Sequence, residues 1–62
     1  MAKHDGHLYR EPGGLDRLRI LVDVPAVTPG MVTVGREGED YQNRPELRWQ
    51  VWADELELDD PR

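Results

Sequence analysis

Two short runs in which apolar and polar residues alternate, "RLRILVDV" and "MVTV", stand on either side of Thr28-Pro29-Gly30-Met31. A period of two is that of a strand with one face buried, and a tight turn between two such runs predicts antiparallel pairing. In the first run Leu18, Ile20, Val22 and Val24 fall on one face and Arg17, Arg19 and Asp23 on the other, with Leu21 the exception on the polar side. Pro25 has no N–H for a ladder and should end that strand. Pro29 and Gly30 suit the two central positions of a type II turn, the second of which needs a positive φ. Val32 and Val34 then carry a second strand into a charged turn bracketed by Gly35 and Gly38.

With 62 residues the chain has room for one small domain. The opening "MAKHDGHLYREPGG" is polar, has three glycines and a proline, and shows no apolar period, so residues 1–14 are expected to form a flexible amino-terminal arm. Leu8 and Tyr9 are the residues through which such an arm could dock on the domain. Residues 15–60 are expected to form a single small β domain. The absence of cysteine excludes a disulfide staple and a thiolate metal site, so stability is expected to be marginal and association becomes the remaining aid.

No apolar run approaches the roughly 20 residues of a membrane span, and the start of the chain lacks an apolar signal region. A soluble, cytoplasmic protein with no membrane contact is expected. Thirteen acids against eight bases give a net charge of -5, which opposes binding to nucleic-acid phosphates as the main activity. Seven of the eight bases are Arg, the residue suited to bidentate contacts with carboxylates, although genomic base composition produces the same bias.

The stretch from Pro45 to Asp60, "PELRWQVWADELELDD", supports two readings. As a helix it has capping-box spacing at Asn43 and Glu46, Pro45 in the first turn, and Trp49, Trp52, Ala53 and Leu56 on one side. Its charges oppose this, because Arg44 and Arg48 would lie at the positive end of the helix dipole and Glu55, Glu57, Asp59 and Asp60 at the negative end. As a strand it has Leu47, Trp49, Val51 and Ala53 on one face, then a parity change to Leu56 and Leu58 that one turn at "ADE" accounts for.

A strand, a single 3₁₀ turn and a short final strand, written "RWQVW", "ADE" and "LEL", resemble the carboxyl-terminal end of Src-homology-3-like small barrels. "RLRILVDV" and "TPGMVTV" are similar to the first two strands of such barrels, so that the likeness spans Leu18 to Leu58. The expected fold is therefore mostly β, a small antiparallel sheet or partly open Src-homology-3-like barrel with a disordered amino-terminal arm. The alternative is a β-hairpin plus a carboxyl-terminal α-helix.

Chemistry-bearing clusters are few. His4, Asp5 and His7 in "HDGH" are metal-type ligands, and loss of Met1 would give Ala2, Lys3 and His4 the donor set of a square-planar copper or nickel site. Isolated histidines in an arm carry little specificity, so no metal and no cofactor are assigned. There is no Ser or Cys, and neither His has a sequence neighbour that would orient it as a base. Asp54 and Glu55 are adjacent carboxylates that a strand would point to opposite faces. No enzyme activity is expected.

Trp52 is the most informative residue. On the strand reading it shares a polar face with Arg48, Gln50 and Leu21, and a large aromatic flanked by Arg is a typical interface anchor. A two-sided core that covers it is the bland counterpart. The acids Asp54, Glu55, Glu57, Asp59 and Asp60 form either a solvated end or a negative surface for a basic partner. The expected function is a non-enzymatic protein-interaction module that binds another protein or itself through Trp52, Leu21, Arg19, Arg48, Asp54 and Glu55. A small phage- or mobile-element-type regulator or inhibitor of a larger host protein is a natural setting. The alternative is nucleic-acid binding through a β face on which Arg17, Arg19 and Arg48 converge.

Overall fold

In the computed structural model, which describes residues 2–59, the central turn closes as the sequence predicts. Met31 N–H donates to Thr28 O at 3.1 Å, and Gly30 has φ of 88°, the left-handed value that the second central position of a type II turn needs. The strands flanking it belong to a five-stranded antiparallel sheet. In chain order these are β1 (Tyr9–Arg10), β2 (Leu18–Ile20), β3 (Met31–Arg36), β4 (Arg48–Trp52) and β5 (Glu57–Leu58), hydrogen-bonded in the order β4-β3-β2-β1-β5.

The stretch Pro45 to Leu58 is not an α-helix. It forms a 3₁₀ turn (Pro45–Leu47), strand β4, a second 3₁₀ turn (Ala53–Glu55) and strand β5. The capping box does not form: Arg44 precedes the first turn without a side-chain cap, and the Asn43 amide donates to Asp40. Each row of β4 is paired with β3, from Met31↔Trp52 to Gly35↔Arg48, and the backbone groups of Trp49 and Val51, which a helix would bond internally, are used across the ladder. β4 and β5 are the two ends of the hydrogen-bonded order, with no pairing between them among the described residues.

Residues 2–14 are not an arm apart from a domain beginning at residue 15. His4 bridges Leu21, Val22 N–H donates to Lys3 O at 2.8 Å, and β1 lies between β2 and β5. Ala2 and Leu8 are buried. The strand missing from a sequence-based count of the sheet therefore comes from the amino terminus, whereas residues 37–44 remain a connection. Met1 and Asp60, the first residue of the expected arm and the last of the expected domain, lie outside the described residues.

The two registers on β2 differ. His4 opposes Leu21 and Tyr9 opposes Leu18, so the amino-terminal run holds two more residues than the strand beside it. A bulge accommodates them. Asp5 fixes that bulge with both oxygens, Oδ1 accepting from His7 N–H at 3.0 Å and Oδ2 from the Tyr9 hydroxyl at 2.7 Å.

β2 is shorter than its alternation implies. It reaches Leu21, whose N–H donates to Thr33 O at 2.8 Å, and then turns so that Val22 is exposed. Cross-strand partners share a face, so Val34 stands in one row between Ile20 and Trp49, and Leu18 between Tyr9 and Arg36. Leu18 and Val34 are fully buried on that face. The opposite face holds Leu21, Thr33 and Gly35, all buried too, under a cluster of Ala2, Leu21 and Tyr41 with Val24 and Leu47 packed against it. Both faces are thus covered, and this is why a single apolar face does not describe β2.

Candidate functional site

β4 fixes where the indole of Trp52 goes. Trp52 pairs with Met31 and follows Gln50, which pairs with Thr33, and Thr33 in turn bonds to Leu21. Trp52, Gln50, Arg48 and Leu21 therefore share a face, the arrangement expected from the alternation. Their environments differ sharply along it. Trp52 is 46% exposed, whereas Leu21 is 2% exposed beneath Ala2 and Tyr41. Leu21 is therefore a core residue and cannot touch a partner at the surface of this fold.

The indole rests on the central turn, where a Cβ added to Gly30 would lie 3.5 Å from its Cζ3. That turn also forms one wall of an open groove of about 400 Å³ lined by Ile20, Val22, Val24, Pro25, Met31 and Val32, among others. Trp52 and the groove thus meet at Gly30. Asp54 and Glu55 follow in the exposed 3₁₀ turn, and neither takes part in the ion pairs among the described residues. The result is a half-exposed indole beside an apolar groove, followed in the chain by two exposed acids.

The arginines do not converge on a free face. Arg48 shares a row with Gly35 and Arg19, but its Nε and Nη2 donate to Tyr41 O at 2.6 Å and Gln42 O at 2.9 Å. It clamps the segment that carries Tyr41 onto the sheet. Arg19 pairs with Glu37 at 3.2 Å, and Arg17 and Arg10 both reach Asp59, at 3.4 and 2.9 Å. Arg36 is held by Asp16 and Glu39 while its guanidinium lies 5.5 Å from the Trp49 ring centroid. The alternation on β2 and β4 revealed which arginines share a face, but not that carboxylates and carbonyls occupy them.

The amino-terminal histidines likewise have structural surroundings. His4 Nδ1 accepts from Gly6 N–H at 3.1 Å, and the His7 and Tyr9 rings meet edge to face at 6.4 Å. Lys3 N–H, which a square-planar copper or nickel site would deprotonate, donates to Asp23 Oδ1 at 2.6 Å, and Ala2 is in the core. Among the described residues no three His, Asp or Glu side chains gather as a metal site.

Sequence reasoning missed the groove. Its walls come from the end of β2, the loop after it and the start of β3, whereas the alternation places Val22 and Val24 on a buried strand face. The exposed proline-rich "VPAVTP" was the available signal, because a loop containing Pro25 and Pro29 cannot continue a ladder.

The fold and this surface define a small antiparallel β-sheet domain with an exposed aromatic beside an apolar groove. The chain matches no family model, no curated protein and no solved structure.

Proposed function

We propose that this protein is a non-enzymatic interaction module whose partner-binding surface is Trp52 with the adjoining groove and the carboxylates of Asp54 and Glu55. The observation that carries the reading is the 46% exposure of Trp52 at the lip of that groove. An indole already held by Gly30 loses little freedom when a partner covers it, and aromatic anchors of this kind dominate interface energies. The acids beside it favour a partner segment that is apolar with flanking Lys or Arg. Of the residues expected at the surface, Arg19 and Arg48 act as supports and Leu21 as core. A cytoplasmic regulator or inhibitor of a larger host protein, of the sort phages and mobile elements encode, is the setting that suits the size and charge.

The pairing of Arg17, Arg19, Arg36 and Arg48 argues against nucleic acid as the ligand, since counterion release requires cations free to meet phosphates. Affinity capture from source-cell lysate with and without nuclease, comparing the native chain with a folded Trp52→Ala variant, tests the proposal. A discrete protein captured by the native chain, lost with Trp52→Ala and weakened by Asp54→Asn with Glu55→Gln is the expected result. Capture of nuclease-sensitive material alone, released steeply by salt, would overturn it.

A further inference from the structure

The two edges of the sheet are unlike. β5 is two residues long, contains Glu57 and is followed by Asp59, so it is blunted by shortness and charge. β4 is five residues long, has no proline or lysine, and carries one charge, on Arg48, whose guanidinium is turned to the Tyr41 and Gln42 carbonyls.

Ladder parity tells which backbone groups of β4 are spoken for. Ala53 N–H donates to Gly30 O at 3.0 Å, and antiparallel bonding alternates, so Val51 and Trp49 also bond to β3. Gln50 and Trp52 direct N–H and C=O away from the sheet, and Arg48 its C=O, its N–H being donated to Pro45 O. The Trp52 C=O opens the 3₁₀ turn Ala53–Glu55, which leaves the Gln50 N–H and C=O, the Trp52 N–H and the Arg48 C=O outside the β3 ladder and the turns. Gln50 and Trp52 are exposed.

We propose that β4 is a self-pairing edge, through which two copies of this chain join antiparallel about a two-fold axis at Gln50 to make one continuous sheet. In that register Gln50 opposes Gln50 of the second copy, Trp52 opposes Arg48, and Trp49 opposes Val51. Trp49 then meets the aliphatic Val51, Trp52 the stem of Arg48, whose guanidinium stays on the Tyr41 and Gln42 carbonyls, and Gln50 its own copy, so that no row of the strand sets like charges together. Four backbone bonds form: two between the Gln50 residues, and one from each Trp52 N–H to the opposite Arg48 C=O. A second copy is favoured over an unrelated strand because the sequence "RWQVW" satisfies this pairing with itself.

At each end of the joint strands Glu46 and Asp54, both on 3₁₀ turns, approach across the axis, and each chain brings a net charge of -5. Association therefore strengthens as salt screens this repulsion. A complex between the acids and a basic partner has the opposite salt dependence. The inference goes beyond the partner-binding surface, since it needs the edge backbone and not the groove.

Sedimentation velocity and amide exchange on the whole chain, from about 10 μM to 1 mM, test it, because an edge interface of this size is weak. Self-association is expected to rise over that range and with salt, with slower exchange at the Gln50 and Trp52 amides. Gln50→Pro removes an N–H that β3 does not use and the long 3.4 Å bond from Val27 N–H to the Gln50 Oε1, neither of them part of the ladder, so the sheet is retained, shown by circular dichroism, while association falls about tenfold or more. Gln50→Lys and Gln50→Glu chains are each expected to be monomeric and to associate when mixed, because position 50 meets itself only in this register. A native chain that stays monomeric to about 1 mM, association that survives Gln50→Pro, or a Lys and Glu mixture that does not associate would each overturn the proposal. Capture of a heterologous protein by Gln50→Pro, which retains Trp52 and the groove, reports separately on the partner-binding reading.

Discussion

The Tyr41 ring packs directly on Gly35, so closely that a methyl group at position 35 would stand 2.5 Å from Cγ of Tyr41. Glycine is required there for close approach, near the end of β3, in a row between Arg19 and Arg48. Gly35→Ala must push Tyr41 off the sheet or bend β3, at a cost of about 1–3 kcal/mol. Urea unfolding of the variant checks this, and an unchanged midpoint would mean that Tyr41 is not seated on Gly35.

Leu21 and Trp52 share a face and have opposite roles, which separate stability from recognition. Leu21→Ala opens a cavity among Ala2, Tyr41 and Val24, and is expected to cost about 2–5 kcal/mol, enough to unfold much of so small a domain. Trp52→Ala leaves the core intact and should cost far less. Thermal melts of the two variants side by side decide the matter; a Trp52→Ala loss equal to that of Leu21→Ala would make the indole a core residue.

Asp5 holds the bulge that sets the amino-terminal register, through His7 N–H and the Tyr9 hydroxyl. Asp5→Ala removes both bonds and is expected to lower stability by about 1–2 kcal/mol. Amide exchange should rise first at Val22, whose N–H is bonded to Lys3 O. Fast exchange at Val22 in the native chain would instead show residues 2–5 released from β2.

Thr33 is buried with its hydroxyl unpaired among the described residues, beside Leu21 and Gln50. Thr33→Val keeps the β-branched shape and removes a desolvated polar group, so the variant should gain about 1 kcal/mol. A loss on chemical denaturation would reveal a bond to that hydroxyl.

Local chemistry accounts for what could be read from the sequence. Pro29 and Gly30 determine a type II turn because one fixes φ and the other tolerates a positive value, and the alternation around them determines antiparallel pairing. The helix reading of Pro45 to Asp60 was already weakened by charges that oppose its dipole, and β-forming Trp49, Val51 and Trp52 favour the strand that β4 becomes.

Tertiary contacts decided the rest. Tyr9–Arg10 has neither the length nor the period of a strand, and becomes one only because β2 and β5 offer ladders on its two sides. Leu21 looked like an apolar residue on a polar face because the cover over that face, Ala2 and Tyr41, comes from 19 residues before it and 20 after it in the chain. The pairing of Arg19, Arg36 and Arg48 was hidden for the same reason, and so was the groove beside Trp52. Periodicity records which way a side chain points within its own strand; what it meets there depends on segments distant in sequence, whose approach is set by packing.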